Sequence, residues 1–319
     1  MKKICVLLLL TAMVFPLFAG GGREGGRPRV FSLATAGLGG TYYIVGAALG
    51  EAITQRVPNL IVNAIIAGGS TGNPLMLHRN EAELGITNYY SAWNALNGTG
   101  PFDHPIELAA IAPLQFSQLH IMVMGNRTDL QTFSDLRGMR VNLGPAAGGG
   151  ALFFRQLLPF WGLTEADFQF SFLSYMEGTE ALRDGRIDVN TPNGAAPLET
   201  VSSLAAFADV RLISLEADIM ARVTAANPYY GLGIIPAGTY RGINHNVYTG
   251  GIRDILVVQR SMDDETVYQI TRAIYESMPQ LRFAHPSLND MTFNNFNHSL
   301  VPLHPGALRF YRERGIPIE

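Results

Sequence analysis

The sequence predicts an α/β fold of two βα lobes, and three observations carry that expectation. Strand-like and helix-like runs alternate from Val30 onward, the pattern of sheets flanked by helices. An apolar run, a glycine-rich turn and a helix start succeed one another three times, at residues 35–43, 67–74 and 144–150. The chain has 319 residues, more than one ordinary domain of roughly 100–200 residues uses.

Residues 30–34 read as a strand. Residues 42–57 read as a helix whose apolar stripe (Val45, Leu49, Ala52, Ile53, Val57) is stopped by Pro58. A strand over 60–66 precedes a helix over 74–79 that has Pro74 in its first turn. Strands at 84–87 and 108–112 complete a first, parallel sheet. A strand at 119–124 leads into the second set of units: strand 140–143, helix 151–158, strand 168–173, helix 177–184 and strand 186–189. Strand 210–213, helix 216–223, strand 254–259 and an acidic-headed helix at 263–278 follow. Pro305 enters the last helix and Gly315 ends it. The economical division is lobe one at 28–118 with 250–319 and lobe two at 119–249, joined by more than one strand.

Composition excludes several classes. Lys2 and Lys3 are the only lysines, so no Walker A loop exists in the body of the chain. The formal charge is −3, and there is no basic stripe or tail, which argues against nucleic acid as a partner. Residues 1–19 read as a signal peptide. Lys2 and Lys3 form its positive start, residues 4–18 are uncharged and Leu-rich, and small residues from Ala19 to Gly22 suit cleavage. That run is short for a membrane span. Cleavage after Ala19 removes both lysines and the sole cysteine, Cys5. It leaves 319 − 19 = 300 residues at a charge of −3 − 2 = −5. The expected location is the periplasm, with a fold held by its core and not by disulfides.

The glycine turns carry the candidate chemistry. Glycine lets backbone approach a ligand, and the free N–H groups of a helix start favour an anion. In open α/β sheets such turns lie at the carboxyl ends of strands, where ligands bind. The candidate binding residues are Gly39, Gly40, Thr41 and Tyr42 in the first turn, and Gly69, Ser70, Thr71 and Asn73 in the second. Pro145, Gly148 and Gly149 represent the third, with Asn88, Tyr89, Asn190 and Asn193 as polar or aromatic neighbours. Backbone N–H groups of residues 39–42 and 70–73, with the hydroxyls of Thr41, Ser70 and Thr71, are expected to hold the anion. Neither lysine nor arginine lies in these turns, and Arg155 stands about one turn into the helix that follows the third. For Tyr89, Tyr90 and Trp93, core packing and pocket lining are both open.

Other motifs point to rival chemistries. Gly68-Gly69-Ser70-Thr71-Gly72 fits the nucleophile elbow G-x-S-x-G, and Asp188 or Asp254 with His285, His298 or His304 would complete a hydrolase order. Only one strand, at 30–34, comes before the strand that leads into it, against several in that fold. Gly37-Leu38-Gly39-Gly40 does not continue into G-x-G-x-x-G, because position 42 is Tyr. The seven histidines show no metal-ligand spacing, so neither a metal nor a cofactor is expected. Asn97, Asn126 and Asn297 begin glycosylation sequons by form only.

Several blocks resemble the TAXI family, the solute receptors of tripartite ATP-independent periplasmic (TRAP) transporters. The run Ala34-Thr35-Ala36-Gly37-Leu38-Gly39-Gly40-Thr41-Tyr42-Tyr43 is similar to that family's opening signature. Gly68-Gly69-Ser70 and Glu81-Ala82-Glu83-Leu84-Gly85-Ile86 resemble the next two blocks, and residues 135–145 the opening of the second lobe. Residues 180–188, 235–240 and 302–307 match as well, so the likeness covers nearly the whole mature chain. It implies a periplasmic binding protein-like fold of type II, with hinge strands and a ligand cleft between the lobes. It also implies no catalysis and a small organic anion as ligand: glutamate, glutamine or 2-oxoglutarate. The partners would be the TRAP membrane subunits, or a receptor kinase if the protein senses. The family's Gly-Ser-Gly-Thr is here Gly148-Gly149-Gly150-Ala151, with Asn190 and Asn193 as candidates to replace the missing polar contacts.

Overall fold

The computed structural model describes residues 27–293 and 300–318; the leader and His298 lie outside the described residues. The first sheet begins with β1 (Arg29–Ala34), and a glycine turn follows that passes into α1 (Thr41–Arg56). Next come β2 (Leu60–Ile65), α2 (Gly72–His78), β3 (Leu84–Asn88) and α3 (Tyr89–Asn97). A twelve-residue β4 (Leu108–Leu119) runs toward the second lobe, which opens with β5 (Met122–Met124). There β6 (Arg140–Asn142) leads to α4 (Gly149–Leu157), and β7 (Gln169–Ser171) to α5 (Tyr175–Arg183). Two short strands, β8 (Val189–Asn190) and β9 (Asn193–Gly194), precede α6 (Glu199–Phe207), β10 (Val210–Leu212) and α7 (Ala217–Ala226). The chain returns through β11 (Tyr230–Ile235) and the thirteen-residue β12 (Val247–Gln259). It ends in α8 (Asp264–Glu276), α9 (Met278–Ala284) and α10 (Pro305–Glu313).

The two sheets share one plan. The first runs β2-β1-β3-β12-β4-β9, with β11 added on β12; the second runs β10-β5-β8-β6-β7. In each, three strands are parallel: β2, β1 and β3 in one, β7, β6 and β8 in the other. The fourth position is a strand arriving from the other lobe, β12 or β5, and it lies antiparallel to its neighbours. The sheets are therefore mixed and not wholly parallel, because the crossing strand enters from the opposite end. Such a reciprocal exchange of strands makes the periplasmic binding protein-like fold of type II. The crossing strands are bound to each other: Gly251 stands opposite Gln118, and the Thr249 hydroxyl donates to the Leu119 carbonyl at 2.6 Å.

Local sequence places the turns. Gly39, Gly69 and Gly144 hold φ of +84°, +80° and +77°, a region that costs other residues ~1–2 kcal/mol. Each lies just past the end of a strand, and this bend turns the chain toward the cleft. Behind the turns, α1 buries Val45, Leu49 and Ile53. Its Gly50 rests so closely on β2 that a Cβ there would meet the Val62 carbonyl oxygen at 2.7 Å.

Candidate functional site

Five turns meet between the lobes. Ala36, Gly37, Leu38, Gly40, Thr41 and Tyr42 come from the β1–α1 turn, and Ala67 to Ser70 from the β2–α2 turn. Facing them are Pro145, Gly148 and Gly149 before α4, Ser174 and Tyr175 at the start of α5, and Asn193. The cavity between them is narrow, about 40 Å³, within about 530 Å³ of space between atoms that includes the open mouth. Helices α1 and α4 both begin here behind glycines, Gly40 and Gly148, with no side-chain cap and no acidic residue in the first turn. Two uncapped helix starts give the pocket positive potential without a cation. No lysine or arginine lines it.

The lobes touch across this site. The Thr71 N–H donates to the Ala147 carbonyl at 3.1 Å. The Thr41 hydroxyl accepts from the Ala195 N–H at 3.0 Å. A Cβ on Gly149 would stand 2.5 Å from Asn88 Nδ2 and 2.9 Å from Ser70 Oγ, so the fit leaves no room for a side chain.

Beneath the pocket floor is a buried polar chain. The Ser70 and Tyr42 hydroxyls are 2.8 Å apart, and Tyr42 donates to Asp254 Oδ1 at 2.5 Å. The other carboxylate oxygen accepts the Ser117 hydroxyl at 2.5 Å and the Gln115 amide at 2.9 Å. Burial pushes the Asp254 carboxyl up to about 7, against the pull of these donors and of Arg253. Burial and the neighbouring carboxylate also raise the Tyr42 hydroxyl well above its ordinary value. A second buried network lies at the first crossing. His120 Nε2 is 2.8 Å from the Tyr240 hydroxyl, which accepts the Leu198 N–H, and burial lowers this imidazole to about 4.

Of the residues expected at the site, Gly40, Thr41, Tyr42, Gly69, Ser70, Pro145, Gly148, Gly149 and Asn193 line the pocket. The others do not. Asn73 spends its amide on the Ala34, Thr35 and Ile86 carbonyls, tying the ends of β1 and β3 together. Asn190 bonds Asn142 and Thr179 within lobe two. Asn88 caps α3 by accepting the Ser91 N–H. Tyr89 belongs to the core, while Tyr90 and Trp93 pack on Tyr229. Gly39 abuts Thr200 and Met176 of lobe two.

Several of the expected anion donors are engaged within the protein. The N–H groups of Thr71 and Asn73 are already spent on Ala147 and Gly69, and the Thr41 hydroxyl is engaged with Ala195. These groups hold the turns and the lobes together, so the donors left at the pocket are fewer than the sequence implied. Ser70 is bonded to Tyr42, and no histidine bonds Ser70 or Asp254 among the described residues. Asp188 is committed to Arg140 and Arg127. His304 caps α10 and His285 caps the turn after α9, so the hydrolase constellation does not assemble from them.

Sequence reasoning missed Ser174 and Tyr175 as members of this site, and took Asp254 only as one candidate acid of a hydrolase order. Ser174 and Glu177 form a capping box, an S-x-x-E signature visible in the sequence. Asp254 gave no such signal. Arg155 faces away, bonded to Glu165 at 3.1 Å with its guanidinium over Phe172. Arg155→Gln should therefore change ligand affinity by no more than about twofold, well under 1 kcal/mol, in a calorimetric titration.

A model of the NMT1-like family matches residues 33–315 of the chain. Among solved structures, one from Bordetella bronchiseptica RB50 is 14% identical, with 90% of this chain and 98% of that chain covered and a TM-score of 0.56. A putative L-cystine ABC transporter structure from Listeria monocytogenes is 10% identical over 83% and 98% of the two chains, with a TM-score of 0.51. The alkanesulfonate-binding protein SsuA from Xanthomonas axonopodis pv. citri, bound to MOPS, is 14% identical over 92% and 96%, with a TM-score of 0.50. At these identities the likeness speaks to the fold.

Proposed function

The chain belongs to the NMT1-like family, and from that premise we propose that it is an extracytoplasmic solute receptor of the TAXI type serving a TRAP transporter. The observation that carries this reading is the pocket itself. Strand-end turns of both lobes wall it, and two uncapped helix starts supply positive potential in place of a cation. Such a site suits a small organic anion held by N–H and hydroxyl groups, and glutamate, glutamine or 2-oxoglutarate fit that description. Asn193 adds a feature: its buried Oδ1 has no protein partner, and it offers an acceptor to a ligand N–H or O–H.

On this reading lobe one is 28–118 with 250–319 and lobe two is 119–249. The protein is exported by residues 1–19 and works in the periplasm without catalysis. Among the described residues no helix is long and apolar enough to cross a membrane. Ligand favours the lobe-closed form in proportion to its differential affinity for closed over open states. The closed receptor delivers its ligand to membrane subunits. Two experiments test this. Solution scattering should show a smaller radius of gyration once a calorimetrically verified ligand is added, and no change would sink the hinge. Crosslinking in native membranes should capture a permease without an ATPase subunit; an ATPase in the complex would assign the receptor to an ABC transporter instead.

A further inference from the structure

The pocket floor and the crossing strands are linked by the hydrogen-bond chain Ser70–Tyr42–Asp254, and its polarity is reversible. Both partners of Asp254 Oδ2 stand as donors, the Gln115 amide and the Ser117 hydroxyl. A proton on the carboxyl is therefore best placed on Oδ1, facing Tyr42. When Asp254 is ionised, Tyr42 donates to it and accepts the hydrogen bond of the Ser70 hydroxyl, leaving oxygen lone pairs of Ser70 toward the pocket. When Asp254 is protonated, Oδ1–H donates to Tyr42, Tyr42 donates to Ser70, and the Ser70 O–H turns to the pocket. We infer that Asp254 is a specificity-determining positioning residue: its proton sets whether Ser70 offers the ligand a donor or an acceptor, and a carboxylate ligand binds with uptake of one proton. This rests on the reading of the pocket as the ligand site.

The proton comes from solvent and ends on the Asp254 carboxylate; no other covalent bond changes. The groups facing that carboxyl bear on its charge. Arg253, its neighbour on β12, favours the ionised form, as do Ser117 and Gln115 of β4 and the Tyr42 hydroxyl of α1. Tyr175 of α5 interacts with it electrostatically from across the cleft, and Asn88 is its register partner on β3. Burial outweighs them and holds the carboxyl at about 7, so both polarities are populated near neutral pH.

The test uses 2-oxoglutarate as probe and calorimetry in two buffers of different ionisation heat at pH 8. We expect uptake of about one proton, with affinity falling about tenfold per pH unit above neutrality. In Asp254→Asn the side-chain carbonyl accepts from Ser117 and Gln115 and the amide N–H faces Tyr42, which reproduces the protonated pattern. That variant should take up no proton and show a flat pH profile. Binding without proton uptake, or an unchanged profile in Asp254→Asn, overturns the inference and leaves the receptor reading standing. Infrared spectroscopy of the ligand-free protein supplies a second readout. A buried carboxylic acid band should titrate near neutral pH, vanish in Asp254→Asn, and titrate at higher pH in Tyr42→Phe, which removes a donor from the ionised form. If 2-oxoglutarate does not bind, that ligand class falls. The band then decides the relay: its presence with the Tyr42→Phe shift supports the inference, and its absence overturns it.

Discussion

Replacing Gly149 with valine should weaken ligand binding by at least about a hundredfold, on the order of 2.7 kcal/mol, while the fold persists. Gly149 opens α4, and the space beyond its Cα is filled by Asn88 Nδ2 and Ser70 Oγ of lobe one. A valine side chain must displace both, and in the closed form these are buried groups committed to other bonds. Its backbone φ is not positive, so the substitution carries no left-handed strain. The cost falls on closure and not on either lobe's core. Titration calorimetry paired with a melting curve checks this. Intact binding in a folded Gly149→Val protein would mean that the lobes do not meet here around the ligand.

The second large effect is on stability as a function of pH. Asp254 is raised by burial to about 7, whereas His120 is lowered by burial to about 4. The native state holds the Asp254 proton at pH values where the unfolded chain, with a carboxyl near 3.9, has released it. The contribution of Asp254 is thus fully present below about pH 4 and is lost as pH rises through about 7. His120 has the opposite sign. Its contribution is full above about 6.5 and is lost as pH falls toward about 4, because the unfolded chain takes the proton first. Between those limits the two slopes oppose each other. In urea unfolding, wild type should therefore lose stability relative to Asp254→Asn as pH rises from 4 to 7, by on the order of 4 kcal/mol in all. A pH-independent difference between the two proteins would contradict the buried, proton-holding carboxyl.

The lobes and most of their units are legible in the sequence, because apolar strands and glycine turns mark where β1, β2 and β6 give way to helices. The crossing strands are less so. β12 begins at Val247, but Thr249, Gly250 and Gly251 hide its first half from a hydrophobicity reading. Those glycines answer close packing: a Cβ on Gly251 would meet the Ser117 carbonyl at 2.4 Å, and one on Gly250 the Phe153 ring at 2.6 Å. Likewise β4 continues past Ala112 through Pro113, which breaks the strand signal, and through Gln115 and Ser117, buried polar residues that both donate to Asp254. The helix α3 was masked by its aromatic content, although Asn88 as N-cap and Gly98 in the left-handed conformation bracket it. A buried network of this kind leaves no local period: its members lie 28 to 212 residues from Tyr42 in sequence, and only the fold brings them together. Asp254 is separated from Tyr42 by 212 positions and from Ser117 by 137, a pairing that no motif announces.

Native mass spectrometry of the mature protein, purified from its own periplasm, tests the central claim most directly. The account predicts one small organic anion per chain, released on unfolding and absent from Gly149→Val. Protein free of any small molecule, or the same molecule retained in full by Gly149→Val, would contradict a ligand site enclosed by the glycine turns of the two lobes.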